Sequence, residues 1–316
     1  MAKAIEQLKS GLIIGHAGLG FRNGVTGSVR QQVHDGDTIN VRALGNFGVR
    51  FLGLDAPEIS YKLPGEKGFI GLSNIRWERY LSDPFKKWPQ ESRLNQDLID
   101  YLKAKTKTGV VTNHHRHATQ AEDELEKEVS KDIEDLGQSE EEFRFFLAFA
   151  YEVMDRYGRL LCFINRDQPE GVRPLSYNER LLQAGMVNPY FIWPNVNPFR
   201  EKRPLIKAVI EPNAANDEAE RDEVLRNARE GVRKARQKGK GIFNSSDPLQ
   251  LEAFEVRFLA DQRAPARWVI DLSKNDDLLI HPQKYYIVRN SEDRLYVPEE
   301  YVPLFVEKGW RRQNGG

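Results

Sequence analysis

The stretch Arg50-Phe51-Leu52-Gly53-Leu54-Asp55-Ala56-Pro57-Glu58 decides the fold. Val49, Phe51 and Leu54 give it strand character, and Asp55-Ala56-Pro57-Glu58 follows at the strand end, so two carboxylates are delivered to its tip. Upstream, Val29, Gln31 and Val33 alternate, and then Ile39 and Val41, with turn signals at Asp35-Gly36 and Gly45-Asn46. The reading is a three-stranded meander between Val25 and Leu54. Strand character returns at Phe145 to Met154 and at Leu160 to Ile164, joined by Asp155-Arg156-Tyr157-Gly158.

The rest of the chain frames these strands. Residues 1–24 read as an N-terminal extension, a short helical start followed by a Gly-rich connector. Between residues 60 and 142 the spacing predicts an enlarged helical and acidic insertion. One helix covers Phe69 to Leu81, a second carries Leu94, Leu98, Ile99 and Leu102, and a third repeats Leu125, Val129, Ile133 and Leu136. Ser176 and Glu179 form a capping box that opens a helix ended by Gly185. Asn216 to Lys238 is a longer helix whose second half is basic, from Arg226 to Lys238. Past Pro248, alternation through Val256, Phe258 and Trp268 to Ile270 predicts a small β-rich C-terminal domain over 249–316.

The 316 residues include 47 Lys and Arg against 47 Asp and Glu, a formal charge of zero. That balance is uneven along the chain. Ala121 to Glu142 holds eleven acidic residues against Lys127 and Lys131, so this segment carries −9 and the remainder +9. A basic body with a detachable-looking acidic segment suits a polyanionic substrate. No stretch approaches the roughly 20 apolar residues of a membrane helix, and no export signal is evident at the start. Cys162 is the single cysteine, which excludes an internal disulfide and suits the cytoplasm, and its apolar strand makes it a core thiol. His114, His115 and His117 lack carboxylates or cysteines at ligand spacing and read as a polar loop.

Three clusters carry chemistry: Asp35-Gly36-Asp37-Thr38, Arg50 to Glu58, and Asp155 to Arg159. Phosphodiester cleavage needs a hard cation with oxygen ligands, a carboxylate for the water, and cations for the charge on phosphorus. Asp37 and Asp55 end neighbouring strands and can share an ion. Glu58 lies three residues beyond Asp55, within reach of an attacking water. Arg50 and Arg159 offer planar, bidentate geometry to a phosphate.

In that order the clusters resemble the staphylococcal-nuclease family, from about Val25 to Asp247, around the enlarged middle section. The resemblance implies an α+β fold, a five-stranded OB barrel with packed helices, over 25–248. It implies a Ca²⁺ ion, or another divalent cation, held by Asp37, Asp55 and the carbonyl of Ala56, with Arg50, Glu58 and Arg159 catalytic. Substrate contacts fall on Arg156, Tyr157 and Tyr190; Ile192 stands where some members have a second tyrosine. The expected activity is hydrolysis of DNA or RNA to 3′-phosphate and 5′-hydroxyl ends. The alternative is a catalytically silent OB module that binds nucleic acid or acts as a scaffold. The acidic insertion and the C-terminal domain are candidate surfaces for a protein partner.

Overall fold

A computed structural model describes residues 3–33, 38–201 and 204–314. It is a mixed α+β structure whose strands, among the described residues, form seven small sheets and no closed barrel. The elements that matter for the site are, in chain order, β1 (Val49–Phe51), β2 (Gly53–Asp55), α1 (Ile75–Leu81), α2 (Gln96–Lys105), α3 (Val110–Leu136), β3 (Phe145–Met154) and β4 (Leu160–Arg166). They continue with α4 (Tyr177–Ala184), β5 (Asn188–Ile192), α5 (Ala215–Arg221), α6 (Glu223–Gln237), α7 (Ala253–Asp261), β6 (Trp268–Asp271) and β7 (Arg294–Val297). The chain divides into two compact units, Met1–Phe51 with Ala148–Cys162, and Leu52–Leu147 with Phe163–Gly316.

The first unit corrects two expectations. The described part of this extension, from residue 3, is built of short strands rather than a helix and connector: Ile5–Gln7 pairs with Ile13–Gly15, and Phe21–Arg22 pairs with Val25–Thr26. The second hairpin turns on Asn23 (φ 51°) and Gly24 (φ 80°), the left-handed pair that a two-residue primed turn requires. Of the expected three-stranded meander, the described residues keep only an antiparallel bridge between Val33 and Ile39. Val29–Gln32 is a helical turn, in which the Ser28 N–H donates to Gln31 Oε1 at 3.1 Å. Three alternating residues are too few to outweigh a capping pair. Val41–Ala43 pairs antiparallel with Ala17–Leu19, whereas β1 pairs in parallel with the start of β4, Leu160 opposite Val49 and Cys162 opposite Phe51.

The second unit is built around a four-stranded sheet in the order β6-β7-β5-β2. β2 runs antiparallel to β5, placing Asn188 opposite Asp55 and Tyr190 opposite Gly53. Residues 249–316 therefore supply two of this sheet's four strands, and the chain does not divide at residue 249. Their first element is a helix, α7, so the alternation through Val256 and Phe258 is not a strand. One core joins the insertion to this C-terminal segment: Tyr61, Trp77, Leu98, Leu102 and Val110 pack with Leu251, Phe254, Phe258, Tyr285 and Tyr296.

Within the insertion, α2 and α3 form where helical spacing predicts them. Phe69–Gly71 is a strand paired with Ser60–Lys62, and only α1, capped by Asn74, is helical in the stretch that follows. α3 is longer than its acidic part and takes in His114, His115 and His117, which are not a loop. Nor is its acidic face detached. Asp132 is buried, accepting from Arg180 at 2.7 Å, Arg166 at 3.0 Å and the Tyr177 hydroxyl at 2.7 Å. α4 has the expected capping box, and Gly185 ends it with φ 71°. No helix of the described residues is long and apolar enough to cross a membrane.

Candidate active site

The carboxylates belong to the second unit. Asp55 closes β2 and is 1% exposed; two residues on, Pro57 has no N–H to extend a ladder, so the chain leaves the sheet and brings Glu58 round. Both carboxylates meet one cation, Arg257 of α7. Arg257 Nη2 donates to Asp55 Oδ2 at 2.6 Å, and Nη1 donates to Glu58 Oε1 at 3.0 Å. Burial works against the charge on this guanidinium, but Asp55 outweighs it and raises the Arg257 pKa above its ordinary value.

The backbone of Glu58 is gripped by the insertion. Its N–H reaches Tyr61 Oη at 3.3 Å and His114 Nε2 at 3.4 Å, and Tyr61 Oη lies 2.8 Å from that same nitrogen. His114 Nδ1 is 3.1 Å from the carbonyl of Leu251. A carbonyl only accepts, so Nδ1 carries the proton and Nε2 accepts from the tyrosine. Burial pushes His114 down to about 4, which keeps the ring neutral, and burial likewise raises Tyr61 well above its usual value. Glu58 N–H, Tyr61, His114 and Leu251 thus form a directed hydrogen-bond chain.

The two catalytic-arginine candidates belong to the first unit. Arg50 lies opposite Leu161 in the parallel pairing, and Arg159, one step before Leu160, lies opposite Gly48. Side chains alternate along a strand, so both arginines rise from the same face of this sheet. Gly48 makes room: a Cβ there would stand 3.2 Å from Arg159 Cγ. Asp155 organises the turn before Arg159. Its Oδ1 accepts from the N–H groups of Tyr157 at 2.8 Å and Arg159 at 3.0 Å, and its Oδ2 takes Arg159 Nε at 2.8 Å. Gly158, at φ 81°, supplies the left-handed residue that closes the turn. Arg156 and Arg159 both lie over the ring of Tyr157, at 4.7 and 5.4 Å, and that ring is half exposed.

The remaining candidates divide. Asp37, with His34, Asp35 and Gly36, lies outside the described residues. Ala56 follows Asp55 directly, as the carbonyl expectation requires. Tyr190 is buried among Phe254 and Tyr296, with ring centroids 5.5 and 4.4 Å away, and its hydroxyl accepts from Arg267 at 3.0 Å. The ring is a core element rather than a stacking platform. Among the described residues, no three His, Cys, Asp or Glu side chains gather as a metal site. His117 is held by the carbonyl of Asp247 at 3.0 Å. The basic stripe of α6 is largely used inside the fold: Arg229 is buried against Asp293 at 2.9 Å, Arg233 reaches the same carboxylate at 3.2 Å, and Arg236 pairs with Glu292.

No family model, curated protein or solved structure matches this chain. Its chemistry is argued from the side chains alone. The residue that the sequence reading missed is Arg257. It is the half-exposed member of a run, Ala253 to Ala260, whose other residues are all buried. A charge set in so apolar a helix demands a partner, and that was the available signal.

Proposed function

We propose that this chain is a divalent-cation-dependent nuclease that hydrolyses phosphodiester bonds in DNA or RNA. The fold that accompanies this reading is the five-stranded OB barrel of the staphylococcal-nuclease type, acting in the cytoplasm. The observation that carries it is the meeting of Asp55 and Glu58 on one positive group, 2.6 and 3.0 Å from a single guanidinium. An all-oxygen, anionic donor pair directed at one point fits a hard cation such as Ca²⁺. Asp55 and the carbonyl of Ala56 would hold the ion, with Asp37 as the further carboxylate. When bound, the ion would supply positive charge to the phosphate.

The other roles fall to the chain's own groups. Glu58, with its backbone fixed through Tyr61 and His114, accepts the proton of the attacking water. Arg50 and Arg159 are the cations assigned to the phosphate oxygens as charge accumulates, and Asp155 holds Arg159 through Nε. The Arg156–Tyr157 tip offers a cation and an aromatic face to the neighbouring nucleotide. In-line attack leaves 5′-hydroxyl and 3′-phosphate ends.

Digestion of plasmid and RNA with Ca²⁺ and with chelator, comparing wild type with Glu58→Ala and Arg159→Ala, tests the reading. Loss of either side chain is expected to cut the rate on the order of 100-fold. Cutting at the wild-type rate by both variants rejects it. The pairing of Arg257 with both carboxylates favours a second reading, a silent nucleic-acid-binding module. A metal-independent gel shift without cleavage would select that one.

A further inference from the structure

We propose that Arg257 is the resident counter-ion of the Asp55–Glu58 pair, and that a divalent cation takes Asp55 Oδ2 only by displacing it. The inference rests on the reading of Asp55 as a cation ligand. A carboxylate as buried as Asp55 needs a positive partner within hydrogen-bond reach, because its charge is otherwise stripped of water without compensation. Arg257 meets that need in an unusual way. Its two terminal nitrogens do not fork onto one carboxylate; each takes a different one, Asp55 Oδ2 at 2.6 Å and Glu58 Oε1 at 3.0 Å. The guanidinium therefore occupies the space against Asp55 Oδ2, beside Glu58, where an ion held by Asp55 would sit.

The side chain has a way out, and its helix does not. The Arg257 side chain is 32% exposed and that of Glu58 33%, so this edge of the pair faces solvent. α7 itself is pinned on both sides of Arg257. Tyr80 donates to the carbonyl of Leu259 at 2.6 Å, and buried Glu255 accepts from Tyr285 at 2.6 Å and pairs with Lys105. The guanidinium can swing on its flexible stem while the backbone stays in place. An ion on Asp55 Oδ2 would stand within contact distance of the guanidinium that lies 2.6 Å from the same oxygen, so binding of the ion there and docking of Arg257 exclude one another. A site available in only a fraction of molecules binds more weakly by that fraction. Arg257 thus sets the metal concentration at which the pair loads.

The experiment uses the full chain with Mn²⁺ alone, reading free ion by electron paramagnetic resonance, for wild type, Arg257→Met and the double variant Arg257→Met/Asp55→Asn. Arg257→Met is expected to bind roughly tenfold or more tightly than wild type, and the double variant is expected to lose that gain. Equal affinity of wild type and Arg257→Met, or no binding by Arg257→Met at millimolar Mn²⁺, overturns the proposal. Should Arg257→Met fail to fold by circular dichroism, the wild-type chain decides. The Arg257 Nε–H resonance is followed through a Ca²⁺ titration, where a saturable shift is expected and an unchanged signal overturns the inference. A chain that cuts with Ca²⁺ while both proteins bind Mn²⁺ equally rejects the counter-ion and keeps the nuclease. A chain that never cuts but shows the exchange does the reverse.

Discussion

At the scale of single residues, the chain from Glu58 N–H through Tyr61 and His114 to Leu251 is where local chemistry and stability meet. Tyr61→Phe removes the only hydroxyl in it and leaves His114 Nε2 with the longer contact from the Glu58 N–H, at 3.4 Å. A loss of about 1 kcal/mol is expected by urea denaturation, since a buried hydrogen bond is removed with its partner still in place. A wild-type midpoint would count against the chain. His114 also sets a pH dependence. Its folded pKa, about 4, lies below the ordinary 6.5, so the unfolded chain binds the proton more readily. Stability is therefore whole above pH 6.5 and drains as pH falls toward 4, by roughly 3 kcal/mol. In His114→Gln that slope should flatten when melts are compared at pH 4.5 and 7. Asp55, Glu58, Arg50 and Arg159 were legible in sequence because strand ends and a Gly-containing turn leave fixed spacings. Arg257 was not, because Phe254, Val256 and Phe258 alternate with Glu255 and Arg257 as in a strand, whereas the segment folds as a helix.

At the scale of elements, α3 shows that composition alone misjudges a charged helix. Eleven acidic residues between Ala121 and Glu142 suggested a solvated, removable segment. The burial pattern instead sets Asp132 against α4, with Arg180 and Arg166 as its partners. Burial opposes the charge on Asp132, but the hydrogen bonds from Arg180 and Tyr177 win and lower its pKa. Asp132→Ala leaves two guanidinium groups facing a cavity, and about 3–5 kcal/mol of stability should go with it. Glu126→Ala, on the exposed side of the same helix, should change stability by no more than about 0.5 kcal/mol. Similar losses in the two variants, by calorimetry, would mean that the Asp132 cluster is not an anchor. α4 was readable to the residue because Ser176, Glu179 and Gly185 are local signals. The packing of α3 was not, because which acid turns inward depends on arginines 34 and 48 residues away.

At the scale of the whole molecule, the sequence divided the chain into a nuclease domain with appendages, and the second unit is organised otherwise. The insertion and the C-terminal segment read as extras, one between the motifs and one beyond them, yet they share one core, and the sheet that ends in Asp55 draws half its strands from residues beyond 249. Spacing along the chain could not reveal this. Sheet order depends on which strand edges meet, and β5 meets β7 across about a hundred intervening residues. The consequence for any attempt to isolate residues 25–248 as a minimal domain is severe. A chain ended at Pro248 loses Leu251, Phe254, Phe258, Val269, Tyr285 and Tyr296 from that core. At about 1.5–3 kcal/mol for each buried side chain, the loss matches or exceeds the 5–15 kcal/mol that stabilises an ordinary domain. Asp55 would also lose Arg257, its counter-charge. The truncated chain is expected to show no cooperative thermal transition for the second unit, and to bind a dye that reports exposed apolar surface. A sharp melt with a well-dispersed amide spectrum for residues 52–147 and 163–248 would show instead that the sheet can close without β6, β7 and α7.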